Sequence, residues 1–253
     1  MLPIFKYILL LGIRDRLYFG LFLALISAFC ISIFFGNIAV IEKQQMAIAY
    51  MAGAARAILA VGMILFVCLN VSRAFENKEV EFILSKSISR QQFVLGYLCG
   101  FFAAAFIILL VATSLISCLA KIDPIGLVTW LGSMLCELLI LISFALLSSL
   151  ILKNSFSAIL ASFAFYLISR LMGVVVFAIN LPQDLATVKS NFLGSFLKIF
   201  SAIFPRLDLF SQSSWLYYGI DSAANLNLIF LQSAIYIPLM IFMAFHDFKK
   251  KQF

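Results

Sequence analysis

Three ionisable residues lie inside long apolar stretches of the chain: Arg56, Glu137 and Arg170. A charged side chain at the centre of a bilayer costs at least about 2.5 to 3.5 kcal/mol on insertion scales, so each of them invites a functional hypothesis. Glu137 lies sixteen residues before the polar turn that begins at Lys153, and Arg170 lies sixteen residues beyond that turn. A straight helical hairpin would place both side chains about 24 Å from the turn. Arg56 reaches a similar depth on its own apolar stretch.

This register predicts a polar layer in which Glu137 pairs with Arg170. Arg56 would then be available to an anionic or zwitterionic group of a transported molecule, and the three residues would mark a translocation path. A second interpretation assigns the layer only a structural role, as one intramembrane ion pair with the remaining arginine extending towards the outer interface.

Other kinds of chemistry have little support in the sequence. His246 is the only histidine, and the five cysteines include no Cys-x-x-Cys pair, so we expect no metal site and no histidine-dependent catalytic cluster. No Gly-x-x-x-x-Gly-Lys-Ser/Thr loop occurs, so the chain has no recognisable ATP site of its own. The net charge of +7 comes from basic residues scattered between apolar stretches, which does not suggest nucleic-acid binding. We therefore predict no catalytic residue, no metal ligand and no cofactor in this chain.

The elements that carry these residues are membrane helices. The chain is 64% hydrophobic and 11% charged, with a mean hydropathy of +1.13, which is typical of an integral membrane protein. A helix needs roughly 20 apolar residues to cross the hydrocarbon core, and continuous apolar runs of this length do not fit the alternating strands of a β-barrel. Six stretches qualify as spans: Leu17 to Val40, Ala47 to Ser72, Phe93 to Ala120, Ile125 to Leu152, Ser155 to Leu181 and Ala223 to Phe245. The fold class is all-α, with residues 1–253 as a single transmembrane domain.

Lysine and arginine residues orient the spans, because positive charge is disfavoured in short exported loops. If the N-terminus is cytoplasmic, the inner side holds Lys6, Arg14, Arg16, Arg73, Lys78, Lys86, Arg90, Lys153, Lys249, Lys250 and Lys251. The outer side then holds Lys43, Lys121, Lys189, Lys198 and Arg206. We therefore predict a multi-pass protein with both termini in the cytoplasm.

Two segments outside the spans have amphipathic patterns. Residues 1–16 mix apolar and basic side chains, which favours a helix lying in the inner interface over a frayed tail. The outer connection, residues 182–222, has Phe192, Phe196 and Phe200 at helical spacing, and Pro205 follows that run. We predict an outer amphipathic helix, which could serve as a lid over an exit path or as a packing collar.

The loop at residues 73–92 is the most informative segment. Residues Glu76 to Leu84 can form a short helix, and Ser89 with Gln92 fits a capping box that would begin the next span. The result would be a short cytoplasmic helix held between two spans, which could transmit force from a partner. The alternative is a solvated loop whose charges only set topology.

The second half of this loop reads Glu79-Val-Glu-Phe-Ile-Leu-Ser-Lys-Ser-Ile-Ser-Arg90, followed by Gln91-Gln-Phe-Val-Leu-Gly96. This segment resembles the coupling segment of type 2 ABC exporter permeases, with Ser87 standing where the family usually has proline. The number of spans, the interfacial segment and the outer amphipathic connection, including Phe204-Pro-Arg-Leu-Asp-Leu-Phe210, are also similar to that family.

The resemblance implies a permease that forms a homodimer in the bacterial inner membrane and binds separate ABC ATPase subunits, which would hold ATP and magnesium. It also implies the residues that couple to the ATPase: Glu76, Glu79, Glu81, Phe82, Leu84, Lys86, Ile88 and Arg90. Export of an amphipathic or lipid-like compound by alternating access suits the apolar spans. An ABC-type assembly or maturation factor acting on an exported-side partner, or an ion-driven secondary transporter, are the alternatives.

Overall fold

The computed structural model of the chain describes residues 2–39, 42–84, 89–119, 122–152, 154–179, 204–219 and 223–250. Within these ranges the regular elements are all helical, and no strand occurs. The helices are α1 (Leu2–Arg14), α2 (Leu17–Ile38), α3 (Lys43–Glu76), α4 (Glu79–Leu84), α5 (Arg90–Ser117), α6 (Pro124–Ile151), α7 (Ser155–Ile179), α8 (Trp215–Tyr218) and α9 (Ala223–Lys250), with a 3-10 turn at Leu207–Leu209.

Six of these helices are long and apolar enough to cross a membrane: α2, α3, α5, α6, α7 and α9. They coincide with the six predicted spans, so the prediction of an all-helical, multi-pass architecture is confirmed at this level. The main difference lies at the ends, because α3 runs from Lys43 to Glu76, well beyond the predicted Ala47 to Ser72.

Local chemistry explains where several helices begin. The Asp123 side chain accepts a hydrogen bond from the backbone N–H of Gly126, and Pro124 follows at the first helical position of α6. Ser89 and Gln92 form the predicted capping box at the start of α5. Between helices, the chain turns at residues in the left-handed region, namely Arg16, Glu42 and Lys78.

The bundle has an inner and an outer set of spans. In α3, α5 and α6, more than half of the most apolar stretch is buried within the protein, whereas in α2, α7 and α9 the buried share is below a quarter. The second set therefore presents most of its surface to the surroundings. Helix α1 packs along α5, where a methyl group at Gly100 would lie 2.8 Å from Ile8. The predicted N-terminal segment is thus helical and attached to the bundle, and its depth in the bilayer stays a prediction.

The outer connection is described only in part. Residues 204–219, which we call the outer segment, pack into the end of the bundle with Leu207, Phe210 and Leu216 fully buried. The predicted amphipathic helix over Phe192 to Ile203 lies outside the described residues, as do 220–222.

Candidate functional site

Glu137 is the centre of the buried polar cluster. It lies on α6 with no exposed surface, and its Oε2 atom accepts a hydrogen bond of 2.7 Å from the Ser211 hydroxyl. The Arg56 Nε atom on α3 lies 3.9 Å from the same oxygen, and the Arg56 side chain is 11% exposed. The cluster therefore joins two central helices to the outer segment.

The predicted pairing of Glu137 with Arg170 is wrong, because Glu137 has Arg56 as its ionic partner. Arg170 donates a hydrogen bond from Nη1 to the backbone carbonyl oxygen of Leu207, and Arg56 takes the place beside Glu137. Depth along a hairpin follows from counting residues, but the direction in which each side chain points around its helix does not. Arg56 is therefore engaged within the bundle, which differs from its predicted availability to cargo.

The cluster is incompletely satisfied. Glu137 Oε1 and Arg56 Nε are both buried, and neither has a hydrogen-bond partner in the part of the chain that the structure describes. At 3.9 Å, the contact between Arg56 and Glu137 is an ion pair that is too long for a hydrogen bond. Compared with well-packed apolar residues, a buried ion pair of this kind contributes little net stability, whereas removal of only one of its two charges is costly.

Ser211 is the residue that sequence reasoning missed. Its backbone N–H donates to Ser133 Oγ at 2.9 Å while its hydroxyl donates to Glu137, so both of its donors point into the bundle. Its backbone lies in the left-handed region, with φ of 51°. The one available signal was general: a buried carboxylate needs hydrogen-bond donors, and the outer segment is rich in serine.

The outer segment also packs closely against α7. Arg206 and Asp208 form an ion pair of 2.9 Å. Asp208 packs over Gly173, where an added methyl group would come within 2.6 Å of a carboxylate oxygen of Asp208. Glycine at this position therefore allows the 3-10 turn to approach α7 closely, which also brings the Leu207 carbonyl to Arg170.

Those predicted coupling residues that the structure describes lie at or beyond the C-terminal end of α3. Helix α3 ends at Glu76, and α4 covers Glu79–Leu84, so the predicted single helix from Glu76 is interrupted by a turn at Asn77 and Lys78. Phe82 is 62% exposed, whereas Val80 is buried against the bundle. The side chains of Glu81 and Leu84, and the residues Lys86 and Ile88, lie outside what the structure describes.

Two polar contacts attach this region to neighbouring helices. The Tyr7 hydroxyl on α1 donates to Glu79 Oε2 at 2.9 Å. Burial, followed by this hydrogen bond to Glu79, raises the pKa of Tyr7 to about 12. Arg90 donates from Nη1 to the backbone carbonyls of Phe248 at 3.2 Å and Lys249 at 2.8 Å. Arg90 therefore caps the C-terminal end of α9, where free carbonyl groups favour a cation.

Comparison with models of known protein families and with curated protein sequences finds no match for this chain.

Proposed function

We propose that this chain is the membrane-spanning permease of an ABC-type transporter, driven by separate ATPase subunits, and that it exports an amphipathic or lipid-like compound. Two copies of the chain would form the working unit. The observation that carries the proposal is the short helix α4, which stands between two long spans and presents an exposed phenylalanine.

The attachment of α4 supports this role. A capping box begins α5 directly after the loop, Tyr7 connects α4 to α1, and Arg90 connects the start of α5 to the end of α9. A displacement of α4 would therefore reach α1, α3, α5 and α9 together. A solvated loop that only sets topology would need none of these contacts.

Phe82 is the residue best suited to meet the ATPase. Its side chain is 62% exposed on a helix that lies beyond the end of the predicted span. An exposed aromatic side chain on a short, fixed helix is typical of an anchor that enters a pocket on a partner protein.

The buried cluster supports a gate at the opposite end. Arg56, Glu137 and Ser211 join α3, α6 and the outer segment through one ion pair and one hydrogen bond. Opening of an exit path would separate the outer segment from α6, and Glu137 would then exchange Ser211 for another donor. Motion of α3, which carries Arg56 near its middle and precedes α4, would connect this gate to the ATPase.

The test is reconstitution of the purified chain with its candidate ATPase, comparing Phe82→Asp with the matched control Phe82→Leu. We expect Phe82→Asp to lose ATPase binding and coupled hydrolysis while it still elutes as a folded protein, because a carboxylate cannot enter an apolar pocket. Phe82→Leu should retain most of both. Normal assembly and turnover of Phe82→Asp would remove α4 as the coupling element and with it the proposal.

A further inference from the structure

A groove opens at the end of α3 that lies farthest from α4. It has a volume of about 340 Å³ and is bordered by the start of α3, the end of α2 and helix α8. The residues that matter for its chemistry are Glu42, Gln45, Met46, Tyr217 and Tyr218. None of them belongs to the buried cluster or to the coupling region.

Two tyrosines form the aromatic wall of this groove. The ring centroids of Tyr217 and Tyr218 are 4.5 Å apart with an interplanar angle of 68°, and Tyr218 is 60% exposed. The faces of aromatic rings carry negative electrostatic potential and attract cations. Exposure at an interface alone would suit a membrane anchor, so the aromatic pair by itself does not define a ligand.

Glu42 adds a negative charge to the groove, and a membrane anchor would not require such a charge. It precedes α3 with its backbone in the left-handed region, at φ 57° and ψ 42°, and its side chain makes no capping hydrogen bond. It forms no ion pair with another of the described residues. The left-handed backbone of Glu42 belongs to the turn between α2 and α3, and the same conformation occurs at the turns of Arg16 and Lys78. What bears on ligand binding is the exposed carboxylate that Glu42 adds to the border of the groove.

The wall is held in place before any ligand arrives. Trp215 and Leu216 of α8 are buried, and the Trp215 carbonyl packs directly on Gly126 of α6. The Tyr218 hydroxyl donates to Gln45 Oε1 at 3.4 Å, which joins α8 to α3. A preorganised site loses less entropy on binding.

We propose that this groove binds an organic ammonium group, with Tyr217 and Tyr218 facing the cation and Glu42 supplying the counter-charge. A weakly hydrated, methylated ammonium suits aromatic rings better than a metal ion does, because calcium takes six to eight oxygen ligands and the groove offers few. The groove volume accommodates a trimethylammonium group with its linker. The proposal is independent of the transport function, since it rests on a different part of the molecule.

The first experiment measures binding of radiolabelled choline to the purified full chain in phosphatidylglycerol nanodiscs. Its neutral carbon isostere, 3,3-dimethylbutan-1-ol, is the matched competitor. We expect unlabelled choline to displace the label and the isostere to fail, because only the cation interacts with the rings and the carboxylate. Equal displacement by the isostere would overturn the proposal, as would the absence of choline binding.

Variants of the chain separate the contribution of the Glu42 charge to choline binding from that of the Tyr218 ring. Glu42→Gln and Tyr218→Leu should each weaken choline binding about three- to five-fold, in line with an exposed charge contact and one cation–π contact. Tyr218→Phe keeps the ring and should bind within about two-fold of the unmodified chain. Lys43→Gln removes a competing positive charge next to Glu42 and should bind choline more tightly. Unchanged binding by Glu42→Gln, with the same elution and melting profile as the unmodified chain, would refute the assignment.

The same ammonium chemistry can come from a lipid headgroup or from a soluble compound. Repeating the titration in phosphatidylcholine nanodiscs distinguishes them. Loss of choline binding in these discs would show that the lipid headgroup occupies the groove, and retained binding would show that a soluble ammonium compound does. Both results support an ammonium site and differ only in its natural occupant.

Discussion

At the level of single residues, the surroundings of Glu137 determine how much stability the protein loses when a neighbouring charge is removed. The carboxylate is fully buried and is compensated by Arg56 at 3.9 Å and by the Ser211 hydroxyl at 2.7 Å. Removing one partner of a buried ion pair leaves an uncompensated charge, which is far more costly than removing both charges. Removing Arg56 alone should therefore destabilise the protein more than removing both charges.

Arg56→Met should destabilise the protein by about 3 kcal/mol, because Glu137 would be left buried without a counter-charge. Adding Glu137→Gln should recover most of that loss, since the amide oxygen can still accept from Ser211 while the charge is gone. Melting temperatures in detergent for the two single variants and the double variant measure this coupling.

Arg170→Met is the matched control for that cycle. Arg170 donates to a backbone carbonyl, so its removal leaves no buried charge and Glu137→Gln should not rescue it. Rescue of Arg170→Met together with no rescue of Arg56→Met would show that Arg170 is the partner of Glu137 after all.

Tyr7 should make part of the stability dependent on alkaline pH. Its pKa is raised from 10.0 to about 12 in the folded chain, so its contribution is fully present below pH 10 and is lost as the pH rises through about 12. The difference in tyrosinate absorbance between the unmodified chain and Tyr7→Phe should titrate near pH 12. Glu79→Gln should lower that midpoint while leaving the part caused by burial. A midpoint near pH 10 in the unmodified chain would contradict the contact between α1 and α4.

At the level of elements, close backbone contacts allow the outer segment less freedom to shift than its side-chain polar contacts do. Helix α8 is only four residues long and cannot be stable alone, so it depends on packing against α6. Gly126 provides that contact, because a methyl group there would clash with the Trp215 carbonyl oxygen. A backbone atom cannot move aside as a flexible side chain can.

Gly126→Ala should therefore destabilise the protein by about 2 kcal/mol, through overpacking that displaces α8. Gly132→Ala, six residues further along the same helix, meets nothing within 4 Å and should be neutral or stabilising by up to about 1 kcal/mol. Melting temperatures of both variants provide the comparison. Equal effects at the two positions would mean that α8 does not pack on α6 in this way.

The elements also show which parts of the structure follow from sequence and which do not. The long helices were predictable because a continuous apolar run in lipid has to satisfy its backbone hydrogen bonds internally. The capping box at Ser89 was predictable because it depends only on residues three apart. The partner of Glu137 was not, because it depends on helix rotation and on Ser211, which is 74 residues distant along the chain. The groove beside Glu42 could not be predicted either, because it depends on a contact between Tyr218 and Gln45, which are 173 residues apart along the chain.

At the level of the whole molecule, α3 is the element that joins the two proposed working ends. Its 34 residues extend about 50 Å, which exceeds the hydrocarbon thickness of about 30 Å, so α3 is long enough for both ends to reach beyond the hydrocarbon core. Its first turn borders the groove and its last turn leads into α4. The proposed coupling of α4 to an outer gate therefore requires the two ends of α3 to lie on opposite sides of the membrane.

Cysteine labelling tests that arrangement directly. In a background with all five natural cysteines replaced, Gln44→Cys and Asn77→Cys place one thiol at each exposed end of α3. The distribution of lysine and arginine predicts that a membrane-impermeant maleimide labels Gln44→Cys in intact cells, and labels Asn77→Cys only after the membrane is opened or inverted. The reverse pattern would place α4 outside the cell, where no ATPase could reach it, and would exclude the transporter proposal while leaving the ammonium site testable. Labelling of both positions from one side would mean that α3 does not span the membrane, which its length and apolar character argue against.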